Sequence, residues 1–244
     1  MAGDILVLAD IHVGLDREMF KVGVRMGSIA NAMADDIVSL VEEYTPSRVL
    51  LIGDIKHGIP GAEDEMKDTS EFLERLAGHV PVTIIPGNHD GNISRLITSE
   101  DILIAPSGGI VVDGMGFFHG HSWPLPNVVE QETVFMAHQH PCIELSENIG
   151  GRHRLSVWCI SGFSKAMLER YQNVNLNAKV VLMPAFNPLV SGTPLNLYNA
   201  TGLLGPIMKN KMFKLKQSNV YLLDGTPLGK LSSIKGAGSR HKEG

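Results

Sequence analysis

Cysteine is almost absent. Of 244 residues only Cys142 and Cys159 carry a thiol, far apart and in no C-x-x-C pattern. That speaks against a disulfide framework and predicts two reduced, small apolar side chains in a reducing compartment. Long apolar runs are missing too. None approaches the roughly 20 residues that a membrane span needs. The run at residues 5–9 is too short for a signal peptide, and Met1-Ala2-Gly3-Asp4 offers no basic region before it. A soluble, cytoplasmic protein without a membrane partner is therefore expected. Positive charge is not in excess: the formal net charge is −5 and the pI about 6.0. This argues against broad coating of nucleic acid but leaves room for a local basic groove. Low-complexity tracts and internal repeats are also lacking. With 43% hydrophobic and 19% charged residues the chain is expected to be globular.

What the sequence does contain is a series of short apolar runs, each ending in Asp, His or both. Ile5-Leu6-Val7-Leu8-Ala9 ends in Asp10-Ile11-His12, and Val49-Leu50-Leu51-Ile52 in Gly53-Asp54. Val82-Thr83-Ile84-Ile85 ends in Pro86-Gly87-Asn88-His89-Asp90. Continuous apolar runs of this length read as buried strands of a parallel sheet. Between the first two, Met26, Ile29, Met33, Ile37, Leu40, Val41 and Tyr44 recur at helical spacing until Thr45-Pro46 stops them. Between the second and third, Phe72, Leu73 and Leu76 share a helix face closed by Gly78. The first half is thus β-α-β-α-β.

Beyond it, strand-like runs crowd together at residues 102–104, 110–112, 116–118 and 134–136, which reads as more antiparallel. Residues 142–178 are the least legible, with a strand expected at 155–160 and a helix at 164–171. Later strands are expected at 180–183, 213–215 and 220–223, with Lys209, Lys211, Lys214 and Lys216 marking a solvated edge. Residues 225–230 resemble a phosphate loop only superficially and read as a turn. A single domain over residues 1–234 is expected, with a disordered tail at 235–244.

The later runs end as the first three do. Gly116-Phe117-Phe118 gives His119-Gly120-His121, and Val134-Phe135-Met136-Ala137 gives His138-Gln139-His140. Seven of the ten histidines lie in these loops, counting His57 three residues after Asp54. One Asp or His at a strand end is ordinarily a turn former. Five such endings in series are different, because strand carboxyl ends line one crevice in α/β sheets. An apolar crevice full of unpaired carboxylates and imidazoles is costly unless metal ions occupy it.

Asp, His and Asn without Cys form a mixed oxygen and nitrogen donor set, suited to Mn, Fe, Co or Zn better than to Mg or Ca. There are donors enough for two ions, with Asp54 the natural bridging carboxylate. Two such ions bind phosphate, lower the pKa of water and clamp an in-line displacement, with metal-bound hydroxide as nucleophile. A free imidazole beside them, for which His89 is the candidate, would stabilise the transition state or protonate the leaving oxygen.

Asp-x-His, Gly-Asp, Gly-Asn-His-Asp, His-Gly-His and His-x-His in this order resemble the calcineurin-like metallophosphoesterase superfamily. The resemblance covers residues 10–140 and implies an α/β fold, a four-layer α-β-β-α sandwich of two mixed sheets. It implies that Asp10, His12 and His140 hold one metal and Asn88, His119 and His138 the second, with Asp54 bridging. His89 would be catalytic and Asp90 would orient it. Two divalent transition-metal ions are implied, Mn first, with Fe, Zn, Co or Ni as alternatives. The partner is a phosphate ester, with nucleotides and nucleic acid included and the oligomeric state open.

Gly53-Asp54-Ile55-Lys56-His57, residues 183–189 and residues 221–225 are further similar to SbcD-related phosphoesterases. Ala137 departs from the usual Gly before His-x-His, and the chain ends before a DNA-capping domain. The expected activity is phosphodiester hydrolysis, with an SbcD-like nuclease on DNA or RNA, or a non-catalytic scaffold, as alternatives. His57, His121 and Arg95 are candidate substrate contacts. His121 could equally sit behind a metal ligand, and Lys56 and Arg95 could be plain surface. Trp123 is a candidate cleft wall, more simply read as structural.

Overall fold

The computed structural model describes residues 5–24, 27–59, 62–146, 151–197 and 202–236. Met26 and residues 237–244 of the expected tail lie outside them. Four strands, β1 (Ile5–Ala9), β2 (Arg48–Ile52), β3 (Val82–Ile85) and β4 (Ile102–Ile104), pair in that order and always in parallel. They are joined through α1 (Leu15–Lys21), α2 (Ile29–Tyr44) and α3 (Glu63–Ala77).

The helices follow from their sequences. Ser28 caps α2 by accepting from the Asn31 N–H, and Thr45, at φ 45° just before Pro46, ends it. Met33, Ile37 and Val41 are buried as the spacing predicts, joined by Ala30, Ala34 and Val38; Tyr44 points to solvent. α3 opens with Glu63, Asp64 and Glu65 at its positive end and buries Phe72, Leu73 and Leu76. Each of those three side chains contributes roughly 2 kcal/mol by leaving water.

Among the described residues the second sheet has nine strands. They are β5 (Ile110–Val112), β6 (Met115–Phe118), β7 (Thr133–Met136), β8 (Pro141–Ser146), β9 (Arg152–Ser161), β10 (Lys179–Leu182), β11 (Thr193–Pro194), β12 (Asn219–Leu222) and β13 (Pro227–Lys230). Two short helices, α4 (Pro126–Val129) and α5 (Gly205–Lys209), accompany it. β6, β7 and β10 are parallel neighbours, whereas β9 runs antiparallel to β10, β8 and β12.

Strand alternation sorts the core into three layers of side chains. Val49 and Leu51 of β2 face α2 and α3, while Leu50 and Ile52 face the other sheet. In the second sheet Phe117, Val181 and Met183 face inward to meet them. Val134, Met136, Val180 and Leu182 face outward, under Val128, Phe163, Met167 and Met208. The result is the expected four-layer sandwich, in which the first sheet is wholly parallel and the second is mixed.

Three local expectations fail. Residues 213–215 are not a strand: Phe213 makes an isolated bridge to Phe163, and Leu215–Gln217 is a 3-10 turn. Met212, Phe213 and Leu215 are all buried, so the run does not alternate, and the lysines expected along an edge lie instead at the end of α5 and in the turns after it. Residues 227–230 form β13 against β12, with Gly225 in the turn between them. The helix expected at 164–171 is a 3-10 helix, Lys165–Glu169, capped by Ser164.

Candidate metal centre

The loops after β1, β2 and β3 meet those after β6 and β7 at one end of the sandwich. Past the strand ends, pairing continues through the backbone: Gly53 N–H donates to Ile85 O (2.8 Å), His12 N–H to Asp54 O (2.8 Å) and Val13 N–H to Ile55 O (2.8 Å). These bonds hold Asp10, His12 and Asp54 at φ 55°, 47° and 48°, and His138 and His140 stand at 70° and 44°. Left-handed φ at non-glycine residues costs on the order of 1–3 kcal/mol each and gathers at functional sites. Two glycines make room. A Cβ on Gly53 would stand in the His119 ring, and one on Gly87 on the Asp54 carboxylate.

The side chains form three donor clusters: His12, His57 and His89 make one, and the other two overlap at Asp54. Asp10, His12, Asp54 and His140 present donor atoms within 4.8 Å of one another; Asp54, His119 and His138 do the same. Asp54 belongs to both. Its Oδ1 accepts from the His89 N–H (2.9 Å), while Oδ2 lies 3.6 Å from His119 Nε2 and 3.8 Å from His12 Nε2. Asn88, exposed, stands with His121 and His138 at the mouth of a cleft of about 500 Å³.

Protonation follows from burial and neighbours. Burial disfavours the Asp10 carboxylate, but His140 and His119 outweigh it and hold its pKa well below the usual range. Asp10 therefore only accepts, and His119 Nε2 donates to its Oδ1 (2.9 Å). Burial pushes the His119 pKa down, yet the bond to Asp10 and the charges of Asp10, Asp54 and Asp90 raise it overall. His121, driven down to about 4 by burial and by His119, sets its Nδ1 2.9 Å from His119 Nδ1. His12 and His138 are each pushed down to about 3, first by burial. They are neutral at pH 7, as metal ligands must be.

Beside His12, Glu18 Oε2 lies 3.1 Å from His57 Nε2, and His57 Nδ1 lies 3.3 Å from His12 Nδ1. With His57 Nε2–H given to Glu18, its Nδ1 accepts from His12 Nδ1–H. That leaves the His12 Nε2 lone pair pointing into the cluster. Among the described residues, His12 Nε2 and His140 Nε2 are both buried without a well-formed hydrogen bond, His140 Nε2 lying 3.3 Å from Asp10 Oδ1. Orphaned ring nitrogens beside ionised carboxylates are what a divalent cation would satisfy. The donor set fits two ions of the first transition series.

His89 donates from Nδ1 to the His57 carbonyl and stacks on the His57 ring, leaving Nε2 4.0 Å from Asp54 Oδ2. The expected partner of His89, Asp90, does something else. It is buried, Oδ1 accepts from Ile55 N–H (2.8 Å) and Lys56 N–H (3.3 Å), and Oδ2 from Gly87 N–H (2.7 Å). Asp90 ties the β3 loop to the β2 loop and does not touch His89.

Arg95 is exposed on a 3-10 helix, Ile93–Leu96. Lys56 is buried, its Nζ donating to Gly58 O (3.0 Å), so it is not a surface residue. Trp123 is covered by the Arg170 guanidinium at 4.0 Å and does not offer that face to a ligand.

Three contributors escaped the sequence reading. Glu18 carries no motif. Gln139, taken as the spacer of His-x-His, is buried and holds Gly202 O (3.0 Å) and Leu204 N–H (2.8 Å). Asn187 donates to Ile11 O (2.8 Å) and pins the first loop from the second sheet; it sits within the 183–189 stretch already singled out.

The family profile of calcineurin-like phosphoesterases matches residues 3–175. Among solved structures, the chain is similar to Pseudomonas putida nuclease MPE at 21% identity, covering 93% of this chain and 88% of that one with a TM-score of 0.55. It is also similar to Yfce, a phosphoesterase from E. coli, at 17% identity, covering 59% and 74% of the two chains with a TM-score of 0.37. At such identity the first likeness speaks for the fold alone. No curated protein matches the chain.

Proposed function

This chain belongs to the calcineurin-like phosphoesterase family, and from that premise we propose a dinuclear metal-dependent phosphodiesterase. The observation that carries the reading is Asp54, shared by two donor clusters, one of which contains two orphaned imidazole nitrogens. In this reading Asp10, His12 and His140 would hold one ion, and Asn88, His119 and His138 the other, with Asp54 available to both. Such ions, Mn foremost, supply Lewis acidity toward phosphoryl oxygens and a water of lowered pKa.

The remaining work belongs to protein groups. Glu18 and His57 keep His12 in the tautomer that coordinates through Nε2. His89, its Nδ1 proton committed to the His57 carbonyl, would act as the imidazolium, giving its second proton from Nε2 to the leaving oxygen and ending as neutral imidazole. Asp90 keeps the loops that carry Asn88, His89 and Asp54 in register.

A nuclease related to SbcD is the second reading, favoured by the Gly-Asp-x-x-His pattern, which His57 completes beside both His12 and His89. A cytoplasmic protein with one domain over residues 1–234 belongs to the same proposal. The test is metal content with and without Asp54→Ala, alongside Mn-supplemented assays of an aryl monoester, an aryl diester, a cyclic nucleotide and single- and double-stranded DNA. Two ions per chain and diester cleavage, both lost in Asp54→Ala, are expected. An active Asp54→Ala protein would refute the bridge.

A further inference from the structure

The two flanks of the metal centre differ in charge. On the His57 side, a cleft of about 560 Å³ carries four carboxylates, Asp16, Glu18, Asp64 and Glu65. Arg17 there is paired with Asp64 and Asp68, and Lys21 is the other cation, so the four carboxylates still leave this lining net negative. On the His138 side, the cleft of about 500 Å³ carries no carboxylate among its lining residues. Its inner wall is Asn88, His121 and His138, and its outer wall is Leu204, Pro206, Lys209 and Asn210. Lys209 is exposed and has no ion-pair partner among the described residues.

The outer wall is built rather than incidental. The two Gln139 bonds seat residues 202 and 204 on the His138 loop. Gly205, at φ +65°, packs so closely on Gly120 that a Cβ would overlap its carbonyl. Asn210 Nδ2 donates to Pro206 O (2.8 Å), closing the far end. This wall comes from residues beyond the 3–175 match to the family profile, so it is a feature of this chain beyond the matched core.

We infer that Leu204, Pro206 and Lys209 form a subsite for the nucleotide next to the scissile phosphate, with Lys209 binding that neighbour's phosphate. The substrate class is a single-stranded oligonucleotide. This deepens the phosphodiesterase reading and rests on it. An anionic strand leaving the ions meets repulsion from the carboxylates on one flank and attraction from an unpaired ammonium on the other. The volume lies in the ~300–1,000 Å³ range of small-molecule sites, enough for one nucleoside between two phosphates. Leu204 and Pro206 give that nucleoside an apolar face.

The test measures binding to the Mn-loaded protein of phosphorothioate-linked dithymidine, unmodified, 5′-phosphorylated or 3′-phosphorylated. One terminal phosphate should tighten binding about tenfold, the effect of one well-placed partly exposed charge pair. Lys209→Glu should abolish that gain, and Lys67→Glu, on the exposed face of α3, should keep it. No gain in the parent protein, or a gain that survives Lys209→Glu, overturns the subsite. Turnover of bis(p-nitrophenyl) phosphate, followed in parallel, separates the two readings. Turnover without discrimination refutes the subsite alone, and discrimination without turnover refutes the phosphodiesterase.

Discussion

Replacing Asp90 by Ala separates two accounts of the Asn88-His89-Asp90 loop. If Asp90 served to orient His89, the variant would lose turnover and keep its stability. The structure gives the carboxylate a different load, three backbone N–H donors at 2.7, 2.8 and 3.3 Å in a buried position. Each buried donor left unsatisfied costs about 1–3 kcal/mol. The two short bonds dominate, and part of the loss is offset because burial already opposes the charge, raising the Asp90 pKa. A net cost of about 3 kcal/mol is expected, which for a domain of this size lowers the melting temperature by roughly 10 °C. Since Gly87, Ile55 and Lys56 flank Asn88 and Asp54, metal affinity should fall with stability. Asp90→Asn should lie between parent and Ala, because its amide nitrogen must face the Gly87 N–H, donor to donor. The assays are thermal melting of the chelated protein and metal content after reloading. Lost turnover with a melting temperature within about 2 °C of the parent would refute the reasoning.

Three further outcomes are expected. His89→Ala should lower kcat by about 10²–10⁴-fold, the usual worth of a general acid, with metal content unchanged; unaltered turnover would remove its role. Glu18→Ala should weaken one of the two ions by roughly tenfold through the His57–His12 link, read by Mn titration; equal affinities at both sites in the variant and parent would refute the relay. In chelated protein, His12 and His138 stay neutral down to about pH 3, whereas their ordinary value is 6.5. The unfolded chain takes up protons there first, so stability is full above pH 6.5 and is lost as pH falls. At pH 5 each contributes a loss of ~2 kcal/mol, joined by His121, whose pKa is also lowered, and opposed by His119, whose raised pKa acts oppositely. Urea unfolding that is no easier at pH 5 than at pH 7.5 would contradict this.

The first three strands of the parallel sheet were legible because each is a continuous apolar run that ends in a distinctive polar group, whereas β4 exposes Leu103 and Ile104 and ends in none. The run 49–52 announces both its burial and its Asp54. The donor residues were legible for the same reason. Roles that depend on what packs across the site were not. Asp90 beside His89 in sequence suggested a contact that the turn at Gly87 does not make. Gln139 looked like a spacer because its partners, Gly202 and Leu204, lie far along the chain. Glu18 has meaning only once α1 is laid beside His57. Residues 205–217 misled because Met212, Phe213 and Leu215 are all buried without alternating, a pattern that period counting reads as strand.

Neither of the two donor clusters that share Asp54 can be assembled from one sheet, unlike the His12-His57-His89 group. Asp10, His12, Asp54 and Asn88 follow strands of the parallel sheet, and His119, His138 and His140 follow strands of the mixed one. The layer that sets their separation contains Ile52, Ile85, Phe117 and Ala137, among others. During folding, therefore, any metal held by these two clusters must wait for the two sheets to dock, however early each forms on its own. Ions added to a refolding chain would act on the last step, slowing separation of the halves rather than speeding their formation, and would serve as a clock for the moment the sandwich closes.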